Sequence, residues 1–458
     1  MFNRMVQFLW GKFESKEELR KFFVLAAIFF CIIGTYWALR PLKDSIFLSM
    51  VGKNWLPWAK AFSVCLLIPL VVLYTKLIDS YERHKVFYIM MLSYGAITLI
   101  FAFLLANPEY GIPNTSESPF RILGWAWYAF VESFGSLLVA LFWVFTTDVT
   151  LPESAKRGFP VIALFGQLGN IAGPLVLRAS RFGFVNSAPI AAICGGIMFF
   201  TGFLMWFFMR TTPKDQMQSY VARDGQERQQ EKKKKKKGVG FLDGLKLIFT
   251  KKYLLGIFII VASYEAILVI FDFHFKVMVS TEFSTEATRG AYLASYGVWT
   301  GIVSSLCVLF GINSIQRKLG MTASLILSPI LVAIATVTIK FFPELSVVFW
   351  IMVIAKAVNY ALNAPTVKQL YIPTTKEARY KSQGWIEMFG SRAAKFGGSM
   401  INMTRGVFQA KYGPVVGISF FLSLTTIASL GIVVGWLFVA MFVAKTYNDA
   451  RAKDQYVC

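Results

Sequence analysis

YLLGIFIIVASYEAILVIFDFHFKVM, residues 253–278, decides the fold class. At about 1.5 Å of rise per residue, a helix of this stretch is long enough to cross a hydrocarbon core roughly 30 Å thick. Apolar residues fill every face, so a single buried stripe does not account for it. Glu265, Asp272 and Lys276 interrupt the run at i, i+7 and i+11, which a helix places on one stripe, whereas His274 points elsewhere and reads as packing. A membrane helix with one charged stripe predicts a bundle whose interior holds polar groups.

Working outward, eleven further apolar runs lie near 22–41, 56–78, 86–106, 122–147, 158–179, 187–210, 292–314, 322–341, 346–368, 384–404 and 414–445. The eleventh of the twelve spans is the weakest, because Glu387, Arg392 and Lys395 break it. A chain of 458 residues that is 56% hydrophobic and 16% charged has no soluble core large enough for that surface, and twelve spans leave few residues for a soluble domain. The prediction is an all-α integral membrane protein with twelve transmembrane helices. Cys31, Cys65, Cys194 and Cys307 fall inside apolar runs, and Cys458 stands alone, so neither a disulfide framework nor a metal site is indicated.

Orientation follows from the Lys/Arg bias of short cytoplasmic loops. With the N-terminus inside, KLIDSYERHK, PESAKRG, the 212–252 connection, QRKLG, PTTKEARYK and the tail AKTYNDARAK are cytoplasmic, and all six are basic. The opposite loops ANPEYGIPNTSESPF and STEFSTEATRG are poor in lysine. Both termini are therefore expected in the cytoplasm, with the opening MFNRMVQFLWGKFESKEELRKFF as a retained amphipathic lead-in. Most of the +22 net charge serves this topology, so it does not call for a nucleic-acid partner.

The expected organisation is an N-terminal six-helix half (1–211), a basic linker (212–252) and a C-terminal six-helix half (253–458). The linker lacks apolar periodicity and carries Lys232 to Lys237, a run suited to anionic lipid at about 1 kcal/mol per residue near the surface. FLDGLKLIFTKKY at its end has helical apolar spacing and suits an interfacial helix. A faint repeat relates the halves: PESAKRGFPVIALFGQLGNIAG enters span five as PTTKEARYKSQGWIEMFGSRAAKFGG enters span eleven. This is the layout of major-facilitator-like transporters, which bind substrate near the midplane.

Charges inside the spans carry the most functional information, because each costs about 2.5–3.5 kcal/mol at mid-membrane even on a lenient scale. Arg40 and Lys43 fall at the far end of span one, around Pro41, and Glu132 sits at mid-depth in span four. Asp272 and Lys276 are spaced for an i,i+4 salt bridge. Span ten presents Lys356, Asn359 and Asn363 as a polar stripe, and Lys368, Lys381, Arg392 and Lys395 follow on the cytoplasmic side of spans ten and eleven. More cations than acids converge on the interior, which suits an anionic, phosphorylated substrate. The glycines of FGQLGNIAGP fit no phosphate-loop motif and read as helix-packing positions. No nucleophile, base and metal set is visible, so neither an enzyme nor a cofactor is expected.

LRPLKD in span one, FVESFGSLLVALFW in span four, FDFHFK in span seven and YIPTTKEARYKSQG…RAAKFGGSMI around span eleven resemble the nucleotide transporters of plastids and obligate intracellular bacteria, the ATP/ADP translocase family. The resemblance implies a twelve-helix exchanger in the inner membrane of a bacterium, taking ATP one way and ADP plus phosphate the other, as a monomer. It places the family's important charges at Lys43, Glu132, Asp272 and Lys381, with Lys276 four residues after the span-seven acid. Tyr36, Trp37 or Tyr360 would stack the base. The chain departs from the family at Asp272, usually Glu, and at Arg379-Tyr380-Lys381-Ser382-Gln383, which has one cation fewer. Relatives that carry other nucleotides or NAD, or that import with protons, keep a proton-coupled importer of nucleotides or another organic anion as the alternative.

Overall fold

In the computed structural model of the chain, the described residues are 15–150, 152–213, 217, 241–309, 312–375, 378, 382–383, 385–386, 390–453 and 455–457. A helix lies at each of the twelve predicted spans: α1 (Lys16–Met50), α2 (Leu56–Ser80), α3 (Arg83–Ala106), α4 (Ile122–Asp148), α5 (Pro152–Val176), α6 (Ala188–Thr211), α7 (Lys252–Glu282), α8 (Glu286–Leu309), α9 (Ile312–Phe341), α10 (Leu345–Val358), α11 (Ser391–Tyr412) and α12 (Pro414–Ala452). Among the described residues nine of them are long and apolar enough to cross a membrane. The exceptions are α8, α10 and α11. Helix α10 is short because it passes into a π-helical turn, Asn359–Asn363, and then a last helical piece, Ala364–Gln369. Helix α9 is interrupted at Gly320, whose φ of +79° only glycine adopts without strain, and its apolar part is Gly320–Phe341.

Helix α1 differs from expectation. Ser15 caps it, its Oγ accepting from the Glu18 N–H at 3.0 Å, and the helix runs through Pro41 to Met50. Arg40 and Lys43 thus sit within the helix, not at its end. Pro41 removes only one hydrogen bond, to the Trp37 carbonyl, and burial of Ile46, Phe47 and Leu48 at 0–1% exposure sustains the last turns. A helix, Phe241–Thr250, lies where an interfacial helix was expected. The polylysine run lies outside the described residues.

The chain forms two compact units, Met1–Gly52 with Cys65–Gly238 and Phe283–Val298, and Lys53–Val64 with Val239–Glu282 and Trp299–Cys458. In the first, α1 is central and packs on α5, α4 and α6, while α3 pairs with α6. The α1–α5 contact is backbone on backbone: a Cβ at Gly173 would lie 2.1 Å from the Gly34 carbonyl oxygen, and one at Gly169 2.6 Å from that of Phe30. The glycines of FGQLGNIAGP therefore serve helix packing. Gly173→Val is expected to force the helices apart and to destabilise the protein by about 1–3 kcal/mol or more, read as a lower midpoint of thermal unfolding in detergent.

In the second unit α7 packs on α11, α12 and α10, and α9 on α12 and the π turn. Gly398 of α11 approaches Ala266 of α7 so closely that a Cβ would sit 2.6 Å from its carbonyl oxygen. Asn402 Nδ2 donates to the Val269 carbonyl at 3.1 Å, and Tyr253 Oη to that of Leu370 at 2.7 Å. Trp436 is fully buried, with the Tyr264 ring edge-on at 6.4 Å.

Candidate functional site

The first unit brings Arg40, Lys43 and Glu132 together. Lys43 is 4% exposed, yet its ammonium is well provided for. Nζ lies 2.5 Å from Glu132 Oε2, 3.8 Å from Asp44 Oδ1 and 4.3 Å from the centroid of the Tyr128 ring, one turn before Glu132 on α4. The Glu132 side chain remains 40% exposed. A buried cation is thus sealed by a carboxylate that is itself open.

One turn earlier, the Arg40 guanidinium lies 5.0 Å over the Trp37 ring, and Trp37 meets Tyr36 edge-on at 6.1 Å. Tyr36 can reach this position because α4 has glycine opposite it: a Cβ at Gly135 would lie 2.1 Å from the tyrosine ring. Tyr36 and Trp37, expected to stack the base, thus lie within about one turn of Arg40 on α1.

The second unit confirms the i,i+4 bridge and adds to it. Lys276 Nζ lies 2.8 Å from Asp272 Oδ2, and Lys60 of α2 donates to the same oxygen. All three side chains are largely buried, at 18% exposure for Lys60, 13% for Asp272 and 6% for Lys276. Lys60 was missed. Its signal is a lysine in the apolar run that begins at Leu56, close enough to a loop to pass for an interfacial residue.

Glu265, on the same stripe of α7, turns to α11, accepting from Ser391 Oγ at 3.1 Å and lying 3.5 Å from Lys395 Nζ. Lys356 is 7% exposed on α10. Asn359 accepts from Asn363 Nδ2 at 2.9 Å within the π turn, and both asparagines line a cavity against α9. Lys60, Lys276 and Lys356 are thus largely buried in this unit, as is Asp272, whereas Lys395, 43% exposed, stands more openly beside Glu265. Lys381 lies outside the described residues, as do Arg379 and Glu387.

A further polar group was not anticipated. In the first unit Arg83 pairs with Asp148, Arg157 with Glu18 at 3.0 Å, and Lys21 donates to the Val149 carbonyl at 2.5 Å. Arg83 and Arg157 come from two of the basic loops that set the predicted orientation, so part of that basic excess is used in fixed pairs.

This geometry can hold a polyanion. Lysines paired with carboxylates inside a helical bundle offer donors to phosphate oxygens, and at Lys43 the displaced Glu132 carboxylate, 40% exposed, is open to water. Comparison with solved structures gives the class. The chain is similar to the nucleoside transporter NupG, with 17% identity, a TM-score of 0.57 and 94% of this chain and 99% of that one covered. It is similar also to the POT family transporter PepTSo, with 14% identity, a TM-score of 0.60 and coverage of 95% and 99%. The fold is all-helical, polytopic and major-facilitator-like.

Sequence comparison gives the family. The model described as TLC ATP/ADP transporter matches residues 1–114 and 121–349, and the chain belongs to that family. Two relatives are the "ADP,ATP carrier protein 1" of Rickettsia prowazekii, 25% identical over 96% of each chain, and the "ADP,ATP carrier protein 3" of Rickettsia conorii, 23% identical over 87% of this chain and 89% of that one.

Proposed function

We propose that the chain exchanges ATP for ADP, with phosphate accompanying ADP, across the inner membrane of a bacterium by alternating access of two six-helix halves, 1–211 and 253–458. Family membership supports the substrate class. The observation that carries the reading is the Lys43–Glu132 pair, a cation 4% exposed under a carboxylate 40% exposed. Water alone would not require a lysine there; an arriving triphosphate uses it by displacing or sharing its carboxylate. Lys276 and Lys60 on Asp272, with Lys356 and Lys395, give the second unit the same capacity, and Lys381 is assigned to it on sequence grounds. Arg40 and Asn359 are assigned to the site on sequence grounds, with Tyr36 and Trp37 stacking the base.

The basic excess of six loops supports cytoplasmic termini, and the linker 212–252 is read as lying on anionic lipid. A monomer suffices, because each chain carries both halves.

Purified protein in proteoliposomes tests this reading. Uptake of labelled ATP is expected to require ADP inside the vesicles and to persist with an uncoupler. Uptake into ADP-free vesicles that an uncoupler abolishes would overturn exchange in favour of proton-coupled import.

A further inference from the structure

We propose that a cavity between α9 and the π-helical turn of α10 is a binding site, entered from the bilayer, for a small lipophilic molecule that carries a hydroxyl group. It shares Asn359 with the residues assigned to nucleotide exchange and otherwise lies apart from the charged clusters.

The cavity holds about 180 Å³. A dry, apolar cavity of about 150 Å³ is enough to take benzene, so this one has room for a small ring or a chain of about six carbons. Its walls are aliphatic side chains of α9 and α10, closed on one side by Tyr264 of α7. Ile334 and Ile354, which line it, are 58% and 49% exposed. Their neighbours Ile330 and Val337 are exposed too, so the rim lies on an apolar helix surface in the middle of a membrane span. At about 100° per residue, Lys356 points roughly 150° away from the mean direction of Ile351, Ile354, Ala355 and Val358. The cavity is therefore on the side of α10 turned away from the charged interior, where hydrocarbon is the solvent.

Two buried polar atoms specify more than an acyl tail. Ser328, 5% exposed, and Asn363, 4% exposed, both line the cavity. Ser328 Oγ and Asn363 Oδ1 have no hydrogen-bond partner among the described residues. An unpaired polar group in an apolar, water-poor site is costly, and a ligand hydroxyl answers both: it donates to the amide oxygen and accepts from the serine. The π turn makes this possible. The Ala364 N–H bonds back to the Asn359 carbonyl, five residues away, and this wider turn brings Asn359 and Asn363 together against α9. Such turns inside α-helices recur at binding sites.

The full-length protein in phospholipid vesicles, labelled with a photoactivatable six-carbon alcohol and with the matching alkane, provides the test. Adducts are expected on Ser328–Thr338 and Ile351–Asn363, about ten-fold more from the alcohol than from the alkane, the factor that one well-made hydrogen bond supplies. Unlabelled hexanol should compete. Ala335→Phe, which puts a ring into the cavity, should abolish the labelling, and Ser328→Ala should lower the alcohol signal while leaving the alkane signal unchanged. Equal labelling by alcohol and alkane would mark a lipid-tail recess only and overturn the proposal. So would adducts spread evenly over the exposed helices, or labelling that Ala335→Phe leaves intact. If that variant fails to reach the membrane, competition on the wild type decides, and labelling that excess hexanol does not reduce overturns the proposal.

Discussion

Lys43→Ala and Glu132→Ala are expected to abolish nucleotide exchange alike but to differ in stability. Both remove one member of the 2.5 Å pair on α1 and α4. Losing Lys43 leaves Glu132 with a side chain already 40% exposed, which water can solvate, so the thermal midpoint should shift little. Losing Glu132 leaves an ammonium at 4% exposure with only Asp44 at 3.8 Å and the Tyr128 ring beside it. Removing one partner of a fully buried pair costs 3–5 kcal/mol; with these neighbours and a half-open carboxylate, about 1–3 kcal/mol is expected here. For exchange, the loss of a desolvated charge contact to phosphate predicts a fall in uptake of about 30-fold or more in Lys43→Ala, and the loss of the partner that holds the Lys43 ammonium in place predicts a comparable fall in Glu132→Ala. Wild-type uptake by Lys43→Ala, with normal amounts in the membrane, would remove Lys43 from the site.

The second large effect centres on Asp272. This carboxylate serves two lysines, so Asp272→Asn takes its charge away from both Lys60 and Lys276 in a largely buried setting. A destabilisation of about 3–5 kcal/mol is expected, larger than that of either lysine variant. The stability has a diagnostic non-additivity: Lys60→Met combined with Asp272→Asn should be more stable than Asp272→Asn alone, because it removes one of the two lysines that share the lost carboxylate. Measured midpoints for the single and double variants check this. Additive losses would show that Lys60 and Asp272 do not act as a pair. Exchange should be lost in Asp272→Asn even where the protein is recovered.

Helix positions were legible because the bilayer requires them: a run such as 253–278 has one reading in a chain this apolar. Helix ends were less so. Span one seemed to finish near Pro41, yet α1 continues to Met50, since one missing hydrogen bond is cheap beside burial of Ile46 to Leu48. Helix α11 was the weakest span for a physical reason that survives, because it begins among residues that pair with α7, Ser391 and Lys395 both meeting Glu265.

Within the site, contacts local in sequence could be read and distant ones could not. Asp272 and Lys276, one turn apart, were paired correctly from spacing. Lys43 and Glu132 were each singled out by their cost in the membrane, but 89 residues separate them and only packing reveals that they touch. Lys60 reaches Asp272 across 212 residues, and no local pattern announces it. The polar stripe of Lys356, Asn359 and Asn363 assumed a regular helix. The π turn changes the register after Val358 and carries both asparagines to the cavity against α9.

Competition by a graded set of unlabelled ligands against one labelled nucleotide, in proteoliposomes loaded with ADP, tests the central claim most directly: that interior lysines hold the substrate by its phosphates. The account predicts that ATP and ADP compete strongly, AMP weakly and adenosine scarcely at all. Adenosine competing as well as ATP would contradict it.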